Sequence, residues 1–163
     1  MLHGPALPVL RIHPASRLCM WLCLAALLLA AGIAHADDYT DISRLTQSGQ
    51  ASQALARADS ALAAKPRDPQ LRFLRAVALT ELGRKTDAIA AYTDLTRDYP
   101  ELAEPHNNLA VVHASLGDYD KARAALEQAI RANPGYATAH ENLGDIYARL
   151  AAQAWGRAMR LEP

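Results

Sequence analysis

The 163 residues carry 17 lysines and arginines against 17 aspartates and glutamates. A chain this balanced projects no long-range field that would draw in nucleic acid or an acidic substrate. Hydrophobic residues make up 51%, much of it alanine, with a single phenylalanine. Alanine loses no side-chain entropy on entering a helix, so the composition favours helices over strands.

At the N-terminus, Arg11 and Arg17 precede the apolar run Leu18–Ala34, which ends in Ala34-His35-Ala36 before Asp37-Asp38. Basic flank, apolar core and small-x-small site predict an export signal over 1–36, cut after Ala36. The alternative is an uncleaved membrane anchor, for which the run is at the short end of the roughly 17–25 residues a span requires. Both cysteines, Cys19 and Cys23, lie inside this segment. The chain from Asp37 onward therefore has no disulfide, thiol nucleophile or cysteine metal site.

Beyond that point the chain repeats itself. Gly49, Gly83 and Gly117 are spaced by 34, as are Ala54, Ala88 and Ala122, and Pro66, Pro100 and Pro134. Several column types sharing one period mark a repeat array. The clearest unit runs from Ala103 to Pro134. Leu109, Val112, His113 and Leu116 fall on one face of a first helix at i, i+3, i+4, i+7 spacing. Gly117 suits a left-handed helix end. Asp118 is placed to cap a second helix with an inner face of Tyr119, Ala122, Leu126, Ala129 and Ile130, and Asn133-Pro134 closes it. Ala110 and Ala122 are small where the two helices must approach. One such hairpin cannot bury its apolar stripe alone, so neighbours must stack on it.

Thirty-four-residue hairpins with small residues at the eighth and twentieth places and proline at the thirty-second resemble the tetratricopeptide repeat. The matching residues are Leu109, Ala110, Gly117, Tyr119, Ala122, Leu126, Ala129 and Pro134 in the best unit. Before it come Ala76, Leu79, Gly83, Ala88, Tyr92 and Pro100, and first Leu45, Gly49, Ala54, Ala58, Ala61 and Pro66. The resemblance implies an all-α, right-handed superhelical solenoid, with units over 37–68, 69–102 and 103–136 and a turn-less partial unit over 137–163. The signal and repeat style resemble exported bacterial members, which implies a periplasmic protein, or an inner-membrane one if the signal is retained. His106 and His140 stand where the family often has tryptophan. Arg75 takes a usual leucine place, which predicts looser packing, and the first helix, next to the cut, is expected to be short or frayed.

The last unit departs from the plan. ATAHENLGDIYARL, from Ala137, restarts a first helix, but AAQAWGRAMRLEP follows Leu150 with no turn. Aligning Trp155, Ala158, Leu161 and Pro163 with a second helix leaves five loop places absent. The simplest consequence is one helix from about Thr138 to Leu161, roughly 36 Å long at 1.5 Å per residue. Its apolar face would be Leu143, Ile146, Tyr147, Leu150, Ala154, Ala158 and Leu161. Such a helix either caps the preceding hairpin or leaves Trp155 and Met159 free for a partner.

Chemistry is sparse. His106, His113 and His140 suggest a metal at first sight, but repeat equivalents stand about 8–10 Å apart, and no His-Glu-x-x-His accompanies them. They read as packing residues whose burial would make the array acid-sensitive. Asp118-Tyr119-Asp120 lacks the glycine and glutamate of a calcium loop. No nucleophile elbow or phosphate-cradling loop is present. No enzyme and no cofactor are expected.

By the same resemblance, first helices line a concave groove that grips peptides. Its lining would include Phe73, Val77, Thr80, Asn107, Asn108, Val111, Ser115, Glu141, Asn142, Asp145 and Arg149. The family's clamp for acidic C-terminal peptides needs lysine or arginine at Phe73, Asn107 or Glu141 and is absent. Asn108 and Asn142 are candidates for gripping a peptide backbone. The expected function is a protein-binding scaffold of the bacterial envelope, with no nucleic acid partner. Alternatives are the repeat portion of a larger protein whose functional domain lies C-terminal, or a membrane-anchored or self-associating unit joined through the Trp155 helix.

Overall fold

In the computed structural model, residues 38–161 are described, and every regular element among them is an α-helix. The signal segment, the cut after Ala36, both cysteines and Pro163 lie outside the described residues. The helices are α1 (38–47), α2 (Ala51–Ala64), α3 (Pro69–Glu81), α4 (Lys85–Asp98), α5 (Ala103–Ser115), α6 (Tyr119–Ala132) and α7 (Ala137–Leu161). From α2 onward each packs on the next, and α3, α5 and α7 also touch in succession, as stacked hairpins require.

The repeat is built by two kinds of joint. Within a hairpin, Gly49, Gly83 and Gly117 adopt φ of 75°, 69° and 80°. Each glycine N–H bonds the carbonyl three back, and the following N–H reaches five back: Gly83 to Thr80 and Arg84 to Leu79, Gly117 to Ala114 and Asp118 to His113. This double bond pattern satisfies carbonyls that the helix end leaves open. Between hairpins, Lys65, Tyr99 and Asn133 leave the helical region just before Pro66, Pro100 and Pro134, with φ of −133°, −137° and −141°, since the residue before proline is disfavoured from helical geometry.

Small residues set the helix spacing. Ala54, Ala76, Ala88, Ala110, Ala122 and Ala129 are all buried, and Leu71, Leu79, Tyr92, Leu95, Val112 and Leu126 fill the space between them. Arg75 does not loosen its helix. It bridges to Asp59 on α2 at 2.6 Å while Leu74 and Leu79 beside it stay buried. The described part of α1 is docked, with Ile42 buried and the Tyr39 hydroxyl donating to Asp68 at 2.6 Å. Asp68 also caps α3 through the Leu71 N–H. Burial pushes its carboxyl up, but the Tyr39 bond, the Leu71 and Gln70 N–H groups and Lys65 outweigh that and hold it below its ordinary value.

Three expectations need correction. Asp118 precedes α6 but makes no side-chain cap; Lys121 holds its carboxylate at 3.0 Å, and a flexible cation is the stronger competitor for it. Leu116 sits at the end of α5 and is exposed, because the chain is already turning there. On α7 the proposed apolar face is only partly covered. Ile146 is buried and Leu143 and Leu150 half-buried, but Tyr147, Ala154, Ala158 and Leu161 are exposed. The first half of α7 packs on α6, as the capping alternative expects, whereas Trp155 and Met159 in the second half are exposed. Gly144 in the covered half costs the helix about 1 kcal/mol relative to alanine, and nothing lies within 4 Å of where its Cβ would stand.

Candidate binding groove

The first helices α3, α5 and α7 present the predicted lining residues, but the structure uses them in different ways. Asn107 is 4% exposed and so is not available at the surface. Its Oδ1 accepts from Asn142 Nδ2 at 2.8 Å, and its own Nδ2 faces Asn108 Oδ1 at 3.3 Å. Asn108 Nδ2 in turn donates to the Tyr92 hydroxyl at 3.3 Å. The result is a polar ladder, Asn142–Asn107–Asn108–Tyr92, running through the last three units. A buried amide needs partners, and the ladder supplies them from the neighbouring repeats. Burial pushes the Tyr92 hydroxyl up in pKa, against the Asn108 and Thr80 bonds, so it remains neutral.

Phe73 and Val77 are half-buried against the first core cluster, with the Phe73 ring 6.2 Å from that of Tyr92. Thr80 and Ser115 turn their hydroxyls to the carbonyls of Ala76 and Val112. What remains open is Val111, 47% exposed, with Asn108 and Asn142 half-buried beside it and Glu141, Asp145 and Arg149 exposed. Between α5 and α7 a small hollow of about 170 Å³ is lined by Ala110, Val111, Asn142, Asp145, Ile146 and Arg149. A second of about 380 Å³ opens at the N-terminal ends of α3 and α5, around Phe73, Leu102 and Pro105. Arg149 lies over the Tyr119 ring at 5.7 Å. The structure thus brings Val111, Asn142, Asp145 and Arg149 together and places Phe73 and Val77 one unit away. Trp155 and Met159 lie on the free half of α7, 69% and 70% exposed.

Tyr92 was missed as a groove-side group; only its hydroxyl, on a second helix, reaches the ladder, and no local pattern announces that. The histidines have a shared role that the alignment with tryptophan did not suggest. His106 Nε2 lies 3.2 Å from the Pro100 carbonyl and His140 Nε2 3.0 Å from that of Pro134. Each therefore latches the start of one unit to the closing proline of the unit before. The equivalent residue one unit earlier is Arg72, which instead pairs at 2.8 Å with Asp98 and lies over Tyr99, both at the end of its own hairpin.

The paired helices, the 34-residue period and the glycine and proline joints define a helical-repeat interaction fold. Tetratricopeptide-repeat family models match residues 43–103 and 112–150, and the chain belongs to that family. A curated relative, the TPR repeat-containing thioredoxin TTL4 of Arabidopsis thaliana, is 35% identical over 78 residues, which is 48% of this chain but 11% of that protein. Among solved structures, the Sgt2 TPR domain from Aspergillus fumigatus superimposes with a TM-score of 0.70 at 21% identity, covering 78% of this chain and 83% of that one. The first TPR of Spaghetti (RPAP3), bound to the HSP90 peptide SRMEEVD, gives 0.65 at 18% identity over 70% of this chain and 90% of its own. At these identities the solved structures establish the fold.

Proposed function

We propose that this chain is a non-enzymatic scaffold that holds an extended protein segment along the groove of α3, α5 and α7. The observation that carries the reading is Val111. It is a large aliphatic side chain left half-exposed at the centre of the groove, between the half-buried amides of Asn108 and Asn142 and the charges of Asp145 and Arg149. An apolar floor with amides and both signs of charge at its rim suits a mixed-polarity segment. That the similar first TPR of Spaghetti is bound to the HSP90 peptide SRMEEVD supports a peptide segment as ligand. The ligand here differs, because Phe73, Asn107 and Glu141 stand where an acidic C-terminal peptide would want cations. The basic-then-apolar segment ahead of Asp37 supports an exported, periplasmic setting in a bacterial envelope.

The test is crosslinking in intact cells followed by capture of the chain, comparing wild type with Val111→Glu. A charge at this exposed site leaves the core intact, so the melting temperature should hold while recovery of the groove partner falls at least tenfold, about 1.4 kcal/mol of binding. Undiminished recovery would count against groove binding. Replacing Asn108 and Asn142 would be a poorer test, because it also breaks the ladder.

A further inference from the structure

The residues of α7 answer a question that the groove does not raise. In the second and third units, Ala88, Tyr92 and Leu95, and then Ala122, Leu126 and Ala129, form the inner face of the second helix, and all are buried. With the five loop places absent, their counterparts are Ala151, Trp155 and Ala158. Trp155 and Ala158 are exposed and Ala151 is only half-buried. The first-helix face that such a helix would cover is equally bare. Ala76 and Ala110 are buried, yet their counterpart Gly144 is exposed, and Tyr147, the counterpart of buried Leu79, is 50% exposed.

Both halves of a helix–helix contact are therefore present, uncovered, on one continuous helix. His140, Gly144, Tyr147, Ala151, Trp155 and Ala158 follow one another at spacings of three or four, so they form a single stripe. That stripe is separate from the buried Ala139 and Ile146. A continuous helix cannot fold back to bring its two ends together. A second copy lying antiparallel can.

We propose that α7 is an interface between two copies of this chain. Each copy's 151–161 segment supplies the second helix that the other copy's fourth hairpin lacks. Gly144 would then meet the partner's Ala151, as Ala110 meets Ala122 within the third unit, and the contact is reciprocal, as a two-fold interface requires. Gly144 disfavours helix, and nothing in the single chain crowds the position of its missing Cβ; a close-approaching partner backbone accounts for it. Charge fixes the direction. The first half of α7 carries Glu141 and Asp145 and no lysine or arginine, while 148–161 carries Arg149, Arg157 and Arg160 and no acid. Antiparallel overlap sets opposite charges side by side, whereas parallel overlap sets like against like. This pairing does not depend on what the groove holds.

The test is the mass of the purified full chain by sedimentation equilibrium over a range of concentrations. Wild type should shift from one chain to two. Gly144→Leu, which a single chain accommodates in open space, should keep its helical signal and remain one chain. Inserting Gly-Asp-Tyr-Asp-Lys, the sequence at 117–121, between Leu150 and Ala151 should also give one chain, because the second helix can now fold back on its own hairpin. The proposal is overturned if wild type stays single up to about 0.1 mM, where even a dimer of roughly 10 µM affinity would be mostly paired. It is equally overturned if both altered chains associate as wild type does, as they would if the apolar 18–34 segment drove assembly, or if Trp155 captures a different protein while the chain stays single.

Discussion

Two histidines make the stability of the array depend on pH. Burial pushes the His106 imidazole below its ordinary value of 6.5, against the Pro100 carbonyl, and Arg131 adds to the effect. Burial also lowers His113, helped by Lys121 and opposed by Asp118. A folded pKa below the unfolded one means that the unfolded chain binds the extra protons. Stability is then complete above about 6.5 and declines as pH falls from there toward the folded values. The lowered carboxylates, Asp68, Asp98 and Asp118, act in a separate and more acidic window, below their ordinary 3.8. The melting temperature should accordingly drop between pH 7 and pH 5, and a flat profile over that interval would refute the assignment. The sequence reading of all three histidines as packing residues rests on the separation of repeat equivalents; His106 is buried and His113 half-buried, whereas His140 is exposed. The proline-carbonyl partners of His106 and His140, each six residues back across a joint, were not legible, because only the folded joint brings the ring against that carbonyl.

At the scale of the helices, what was readable in advance was whatever local chemistry decides. Glycine at a left-handed end and proline after an extended residue act within a few positions, and the hairpins follow from them. Rotation of a helix about its axis is a matter of tens of degrees and is settled by neighbours, so Asn107 could not be told from Asn108 by sequence. One turned inward and became the middle of a ladder; the other stayed half-open. The ladder crosses from α7 to α4 through side chains 35 and 16 residues apart in sequence, beyond the reach of any short pattern. Its strength can be read from Tyr92→Phe, which keeps the ring against Phe73 and removes only the hydroxyl. We expect a loss of about 1 kcal/mol in denaturant unfolding. The same change made in an Asn142→Ala background should cost measurably less than in wild type, if the bonds act as a chain. Strict additivity of the two changes would show that they do not.

For the array as a whole, helix contacts among the described residues from Ala51 onward run between sequential helices and between successive first helices, so stability is approximately a sum of units and the joints between them. Hydrogen exchange should therefore be slowest in α3, α4, α5 and α6, which have packed neighbours on both sides, and fastest in the second half of α7 when the chain is dilute. Uniform protection along α7 in dilute, single-chain protein would contradict this order. The repeat architecture itself was legible throughout the described residues, since each unit restates the same joints. The uncovered stripe of α7 was not, because an apolar spacing on a helix does not say whether anything lies against it. The histidine–proline latches have a mechanical consequence. Tension applied to the two ends would pass through every joint in series, each opening a little. Two of these joints close on an imidazole–carbonyl bond, and the one before them is spanned by the Arg75–Asp59 ion pair and the Tyr39–Asp68 hydroxyl–carboxylate bond. The array is in this sense a short spring of unlike coils, and salt would soften only the one that rests on an ion pair.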